Sequence, residues 1–193
     1  MDYIEGDCLE DVWPDMSPEQ KKGIALELKE ILIRMRKYVS EDGEEWDIEP
    51  PEGVGIGVHG LVRDLRRHDS KTGFHCEDEA TFNEFLLAGL PKSTPSDKRE
   101  QLANGLRSDH RICFTHADLS TRNIIVKGDK IQALLDWEYG GWYPEYWEYV
   151  KFLYSHDKHK DWKNYMHLIF PENYAKDYEH ELTVYQELWR LQG

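Results

Sequence analysis

His116-Ala-Asp118-Leu119-Ser-Thr-Arg122-Asn123-Ile-Ile-Val126, followed by Leu134-Leu135-Asp136-Trp137-Glu138, is the stretch whose reading decides the fold. Ile124 to Val126 and Ile131 to Leu135 are apolar runs on either side of Gly128 and Asp129, which is the signature of a β-hairpin. The first arm begins directly after Asn123 and the second ends at Asp136. Antiparallel pairing therefore brings those two side chains to one end of the hairpin, within reach of a single cation. Their oxygens are hard donors of the kind magnesium takes. Asp118 sits on the loop that leads into the first arm, behind the short apolar run Ile112 to Phe114.

An orienting carboxylate and oxygen ligands for a metal are what phosphoryl transfer asks of a protein. The spacing from Asp118 to Asn123 equals that of the catalytic loop H-R-D-L-x-x-x-N, and Asp136-Trp137-Glu138 stands where D-F-G supplies a metal ligand. On these residues the chain resembles the aminoglycoside phosphotransferase and choline kinase-like family, including its fungal-type members. The resemblance extends to Met1–Gly6, similar to the family's hinge, to Trp13-Pro14 after it, and to Gly140–Glu148, similar to its post-motif loop. It implies an α+β, protein kinase-like C-terminal lobe, mainly helical with a small hairpin at the site. It also implies ATP as donor and Mg2+ as cofactor, Asp118 as the base, and Asn123 and Asp136 as metal ligands.

Other residues carry weaker signals. His116 is expected to support the loop through hydrogen bonds, since a lone His-x-Asp is poor evidence for a transition-metal site. Arg122 suits a phosphate oxygen and suits a neighbouring carboxylate equally. Glu138, Trp142 and Glu145, among further aromatics, offer charge and ring faces to a cationic acceptor, although such residues more often pack a following helix. Gly55-Ile-Gly57-Val-His-Gly60 satisfies G-x-G-x-x-G, but the stretch before it holds two prolines and reads as loop. A dinucleotide fingerprint needs a strand there, so that reading is rejected and an ordinary loop is expected.

The 193 residues fit one domain, with 39% hydrophobic and 12% aromatic residues enough for a packed core. A net charge of −14 disfavours nucleic acid and anionic membrane as partners and favours a small hydroxylated, cationic acceptor if the acidity gathers at a cleft. A generally acidic surface is the blander account. Three scattered cysteines argue against disulfides or a thiolate zinc site, and no apolar run is long enough to span a bilayer. A cytoplasmic location is expected.

Along residues 1–193 the expected order is a hinge-like start at 1–16, helices and a long loop over 17–110, the catalytic loop and hairpin at 111–140, and C-terminal helices over 141–193. Ser17, Pro18 and Gln20 open a helix over 17–39 carrying Ile24, Leu28, Ile31, Leu32 and Met35 on one face. Residues 40–75 read as an irregular connection. Further helices are expected over 77–87, from a Ser96 cap to about Leu106, after Pro144, and over 160–169 and 174–191.

A kinase-like fold normally carries a glycine-rich loop, a phosphate-binding lysine and a helix glutamate ahead of the catalytic loop. The 193 residues show none, so the N-terminal lobe is expected to be absent, the chain a clipped gene product, and its activity weak or absent. Such a lobe would bare apolar residues including Ile4 and Leu9, favouring a dimer or a partner that supplies the missing lobe. The rival expectation is a pseudokinase-like binding or scaffolding lobe without catalysis; a metal-dependent hydrolase using His116 and Asp118 ranks last.

Overall fold

The computed structural model describes residues 4–39, 44–52, 54–62, 74–170, 172 and 174–190. In chain order they form β1 (Asp7–Cys8), α1 (Leu9–Val12), α2 (Pro18–Arg36), β2 (Lys37–Val39), β3 (Glu45–Asp47), β4 (Ile56–Val62), β5 (Phe74–Cys76), α3 (Glu79–Ala88) and α4 (Ser96–Gly105). The second half adds β6 (Ile112–Thr115), β7 (Ile124–Lys127), β8 (Lys130–Leu134), β9 (Gly141–Pro144), α5 (Trp147–Tyr154), α6 (Met166–Ile169) and α7 (Ala175–Arg190). This mixture of helix and antiparallel sheet is an α+β fold. It gathers into two compact units, residues 1–48, 116–140 and 151–173, and residues 49–115, 141–150 and 174–193.

In the first unit, α2 starts where the sequence says. The Gln20 N–H donates to the Ser17 hydroxyl at 3.2 Å and the Ser17 N–H donates to the Gln20 side chain at 2.9 Å, closing a capping box worth about 0.5–2 kcal/mol. Ile24, Leu28 and Leu32 are buried at helical spacing, and α2 packs on β8 and α6. The expected helix to residue 39 stops instead at Arg36. Lys37 turns to extended backbone, and Lys37–Val39 pairs with Glu45–Asp47, because Tyr38 and Val39 favour a strand once a partner is available.

The hairpin β7–β8 forms with Ile124 opposite Leu134 and Lys127 opposite Lys130, turned by Gly128 at φ +64°. The hinge-like start adds a third strand, Asp7 pairing with Val126 and Cys8 with Ile125. Leu9 is fully buried here, against the expectation of a bare surface, while Ile4 is exposed. Trp13, Trp162 and Phe152 are buried beneath the hairpin's own unit, with Trp13 and Trp162 edge to face at 5.0 Å and Phe152 and Trp162 at 5.7 Å. Residues 160–169, expected as one helix, divide into a 3-10 stretch, Lys160–Tyr165, and α6.

In the second unit the expected loops are strands. Among the described residues of 40–75, β4 and β5 pair with each other, and the Gly55–Gly60 segment lies largely within β4, so the glycine motif is neither phosphate loop nor irregular connection. Residues 141–144, expected as a post-motif loop, form β9 between β4 and β6 in a sheet of order β5-β4-β9-β6. The strands approach closely because Gly141 has no side chain: a Cβ there would lie 2.2 Å from the Gly57 carbonyl oxygen. Asp78 caps α3 through the Thr81 N–H, and Phe82 and Leu86 are buried, with Phe82 edge-on to Trp147 at 5.0 Å. Ser96 is the first residue of α4 and not its cap; that place belongs to Pro95. Leu90, Leu102, Val184 and Leu188 close a second apolar cluster.

Candidate active site

The loop from His116 to Asn123 and the segment from Leu135 to Tyr139 lie in the first unit, and their hydrogen bonds converge on Asp118. The Asn123 amide donates to both the Asp118 carbonyl and its carboxylate Oδ2 at 3.0 Å. Arg122 donates to the same oxygen at 2.5 Å, and the Ser120 hydroxyl donates to Oδ1 in a very short bond. Arg122 therefore takes the carboxylate alternative of its two sequence readings. A carboxylate offers about four lone-pair sites, so with these three donors in place one remains, on Oδ1.

His116 is fully buried and joins the loop to the strand after it. Its Nε2–H donates to the Leu135 carbonyl at 2.8 Å, and its Nδ1 accepts the Asp118 N–H at 3.2 Å, which fixes the tautomer. The imidazole also packs on Trp137 at 4.4 Å between centroids. The Leu135 N–H donates to the Asn123 carbonyl at 2.8 Å, extending the hairpin ladder by one rung. Asp136 is thus held between Leu135, bonded to both His116 and Asn123, and Trp137, packed at a tilt against His116.

Backbone strain marks the same two places. Ala117 at φ 66° and Asp136 at φ 61°, ψ 64° are the non-glycine residues with left-handed backbone among the described residues. Such conformations cost about 1–3 kcal/mol each and persist where surrounding contacts over-determine them. The twist aims Asp136 into solvent, where its carboxylate takes no hydrogen bond from the described residues. Tyr139 reports how tightly acidity gathers here: burial first, then the charges of Glu138, Asp136 and Asp118, push its hydroxyl above the ordinary tyrosine range.

The oxygen donors fit a hard divalent cation. Asn123 is 5% exposed and spends its Nδ2 on Asp118, leaving Oδ1 as its acceptor, and Asp136 presents an unpaired carboxylate at the same hairpin end. No cluster of three His, Cys, Asp or Glu side chains that could hold a metal ion lies among the described residues, so a cation here would need donors beyond those side chains, such as the Asn123 amide oxygen. Of the expected acceptor residues, Glu138 is exposed in this unit, whereas Trp142 and Glu145 belong to the second, where Trp142 packs on Phe114 at 5.4 Å and Glu145 pairs with Arg111 at 3.7 Å. Sequence reasoning passed over Ser120, adjacent to the motif, and Asp157, 36 residues beyond Thr121, for which no local pattern gives a signal.

A carboxylate-bearing loop tied by hydrogen bonds to the end of a hairpin that presents an amide and a second carboxylate is compatible with phosphoryl-transfer chemistry. The model of the phosphotransferase enzyme family (APH) matches residues 1–190, and the chain belongs to that family. No curated protein matches the chain. Among the described residues no helix is long and apolar enough to cross a membrane.

Proposed function

We propose that this chain carries the catalytic loop and metal ligands of a kinase-like enzyme that passes the γ-phosphate of ATP to a hydroxyl of a small, cationic acceptor. The observation that carries the reading is the shared hydrogen-bond path from the Asp118 carboxylate through Asn123 to Leu135, next to Asp136. Asp118 acts as the base: its free Oδ1 lone pair orients the acceptor hydroxyl and takes its proton as the hydroxyl oxygen bonds to the γ-phosphorus and the bond from that phosphorus to the ADP oxygen breaks, releasing ADP. Asn123 and Asp136 would hold magnesium, which when bound would neutralise charge on the nucleotide phosphates. Arg122 and Ser120 keep the Asp118 carboxylate in one orientation. Glu138 and Trp137, both exposed, supply charge and π-surface for a cationic acceptor.

Among the described residues no glycine-rich loop is followed by a strand lysine, and loss of one preorganised charge-stabilising contact lowers turnover by about 10²–10³. Turnover by this chain alone is accordingly slow, and a lobe supplying those contacts raises it. The test is ATP-dependent phosphorylation of a panel of hydroxylated amines by purified residues 1–193, with and without a matching N-lobe. Slow turnover that the N-lobe accelerates, and that Asp118→Ala lowers by about 10²–10⁴, supports the reading. Silence with the N-lobe restored would sink it, and magnesium-nucleotide binding without turnover would point to a pseudokinase-like scaffold.

A further inference from the structure

Thr121 opens the 3-10 turn Thr121–Asn123 that carries the proposed metal ligand, and it is fully buried. Its backbone N–H donates to Asp157 Oδ2 at 2.7 Å and its hydroxyl donates to Asp157 Oδ1 at 3.0 Å. Both oxygens of one carboxylate thus grip one residue of the turn from 36 positions away. Asp157 is itself fixed. Its Oδ1 also accepts the His159 N–H at 2.8 Å, and the His159 ring bonds the Glu10 carbonyl at 2.7 Å, so the segment is anchored at the start of the chain as well.

Two-point attachment determines direction as well as distance. A single hydrogen bond would let the turn rotate about it, whereas two bonds from a planar carboxylate fix both the backbone and the side chain of Thr121. Asn123 follows two residues later in the same turn, and its N–H bonds the Ser120 carbonyl at 2.9 Å, so any rotation at Thr121 carries Asn123 with it. Charge matters too, because hydrogen bonds to an ionised acceptor are about twice as strong as neutral ones.

We infer that Asp157 is a positioning residue for the proposed metal site: it locks the turn so that Asn123 meets the cation and Asp118 together. The inference rests on the phosphotransferase reading and adds to it a residue outside the family motif. Asp157 touches neither nucleotide nor acceptor in this account; it acts through Thr121. Supporting residues behind metal ligands typically contribute about 10–100-fold to affinity or activity.

The experiment titrates Mn2+ alone, by the loss of its free-ion electron paramagnetic resonance signal, against the full 193-residue chain and its Asp136→Ala, Asp157→Ala, Asp157→Asn and Thr121→Val variants, with circular dichroism and melting temperature as fold checks. Asp136→Ala should remove the tightest site. Asp157→Ala should weaken it about 10–100-fold. Thr121→Val keeps the backbone arm and should weaken it less, and Asp157→Asn, which keeps one accepting oxygen, should fall between. If Asp157→Ala fails to fold, the order wild type, Thr121→Val, Asp157→Asn still decides the matter. Variants at 157 and 121 that bind within twofold of wild type, while Asp136→Ala does not bind, would overturn the role of Asp157 and leave the metal site standing. Equal binding by wild type and Asp136→Ala would remove the metal site and the inference with it.

Discussion

Replacing His116 with alanine should separate the catalytic loop from the hairpin. The substitution deprives the Leu135 carbonyl and the Asp118 N–H of partners at 2.8 and 3.2 Å. Both groups are partly buried, so each costs at most about 1–3 kcal/mol when orphaned and the pair at most about 2–6 kcal/mol. Loss of the ring contact with Trp137 at 4.4 Å adds about 0.5–1.5 kcal/mol. Against a typical total stability of about 5–15 kcal/mol the variant should fold, but with a lower urea midpoint. The two bonds can be separated, because asparagine can present an acceptor where Nδ1 stands and glutamine a donor where Nε2 stands. His116→Asn should recover protection of the Asp118 amide in hydrogen exchange, and His116→Gln should recover stability without that protection. A His116→Ala variant losing under about 1 kcal/mol, with the Asp118 amide as protected as before, would refute the reasoning.

Two further outcomes follow from residues outside that bridge. His110 is buried between Glu79, bonded to its Nδ1 at 2.7 Å, and Asp177, 3.3 Å from its Nε2, while Arg107 opposes its charge. Burial, the largest influence, pulls its pKa down, but the Glu79 bond and the Glu79 and Asp177 charges outweigh it and the net direction is upward. The protonated form is therefore favoured by folding, so its stabilisation is complete below the unfolded value of 6.5 and is lost as pH rises through the higher folded value. Urea midpoints of wild type should decline as pH rises above 6.5 more steeply than those of His110→Gln, and parallel curves would count against the pairing of His110 with Glu79 and Asp177. Asp136→Gly should relieve left-handed strain and raise stability by up to about 1 kcal/mol, yet abolish the Mn2+-dependent rise in melting temperature. A glycine variant that melts lower than wild type without metal would show that Asp136 is not strained.

What the sequence discloses follows the range over which each structure is decided. The α2 start is legible because Ser17, Pro18 and Gln20 satisfy one another within a single turn. The hairpin is legible because Gly128 and the apolar arms fit within eleven residues, Ile124 to Leu134. By contrast, β4 and β9 exist through pairings across the chain, Gly57 with Trp142 and Cys113 with Tyr143, and the glycines that allow that approach weaken any local strand signal. The site divides in the same way. Asp118, Asn123 and Asp136 stand in a motif whose spacing can be counted, whereas the bidentate hold of Asp157 on Thr121 depends on a fold that no count reveals.

That division bears on how such a site keeps its geometry. Ala117 and Asp136 hold left-handed backbone on either side of Asp118 and Asn123, a conformation that neither residue chooses in an isolated peptide. The strain is sustained by two bonds that arrive from outside the motif, Trp162 Nε1 donating to the Leu119 carbonyl at 3.0 Å and Asp157 gripping Thr121, and by one within it, His116 closing on Leu135. Trp162 is in turn fully buried against Trp13 and Phe152. The apolar packing of this unit therefore holds the acidic loop in a shape its own sequence disfavours. A cavity cut at Trp162 should loosen Asp118 and Asn123 before it unfolds the hairpin, whose ladder is closed by bonds of its own.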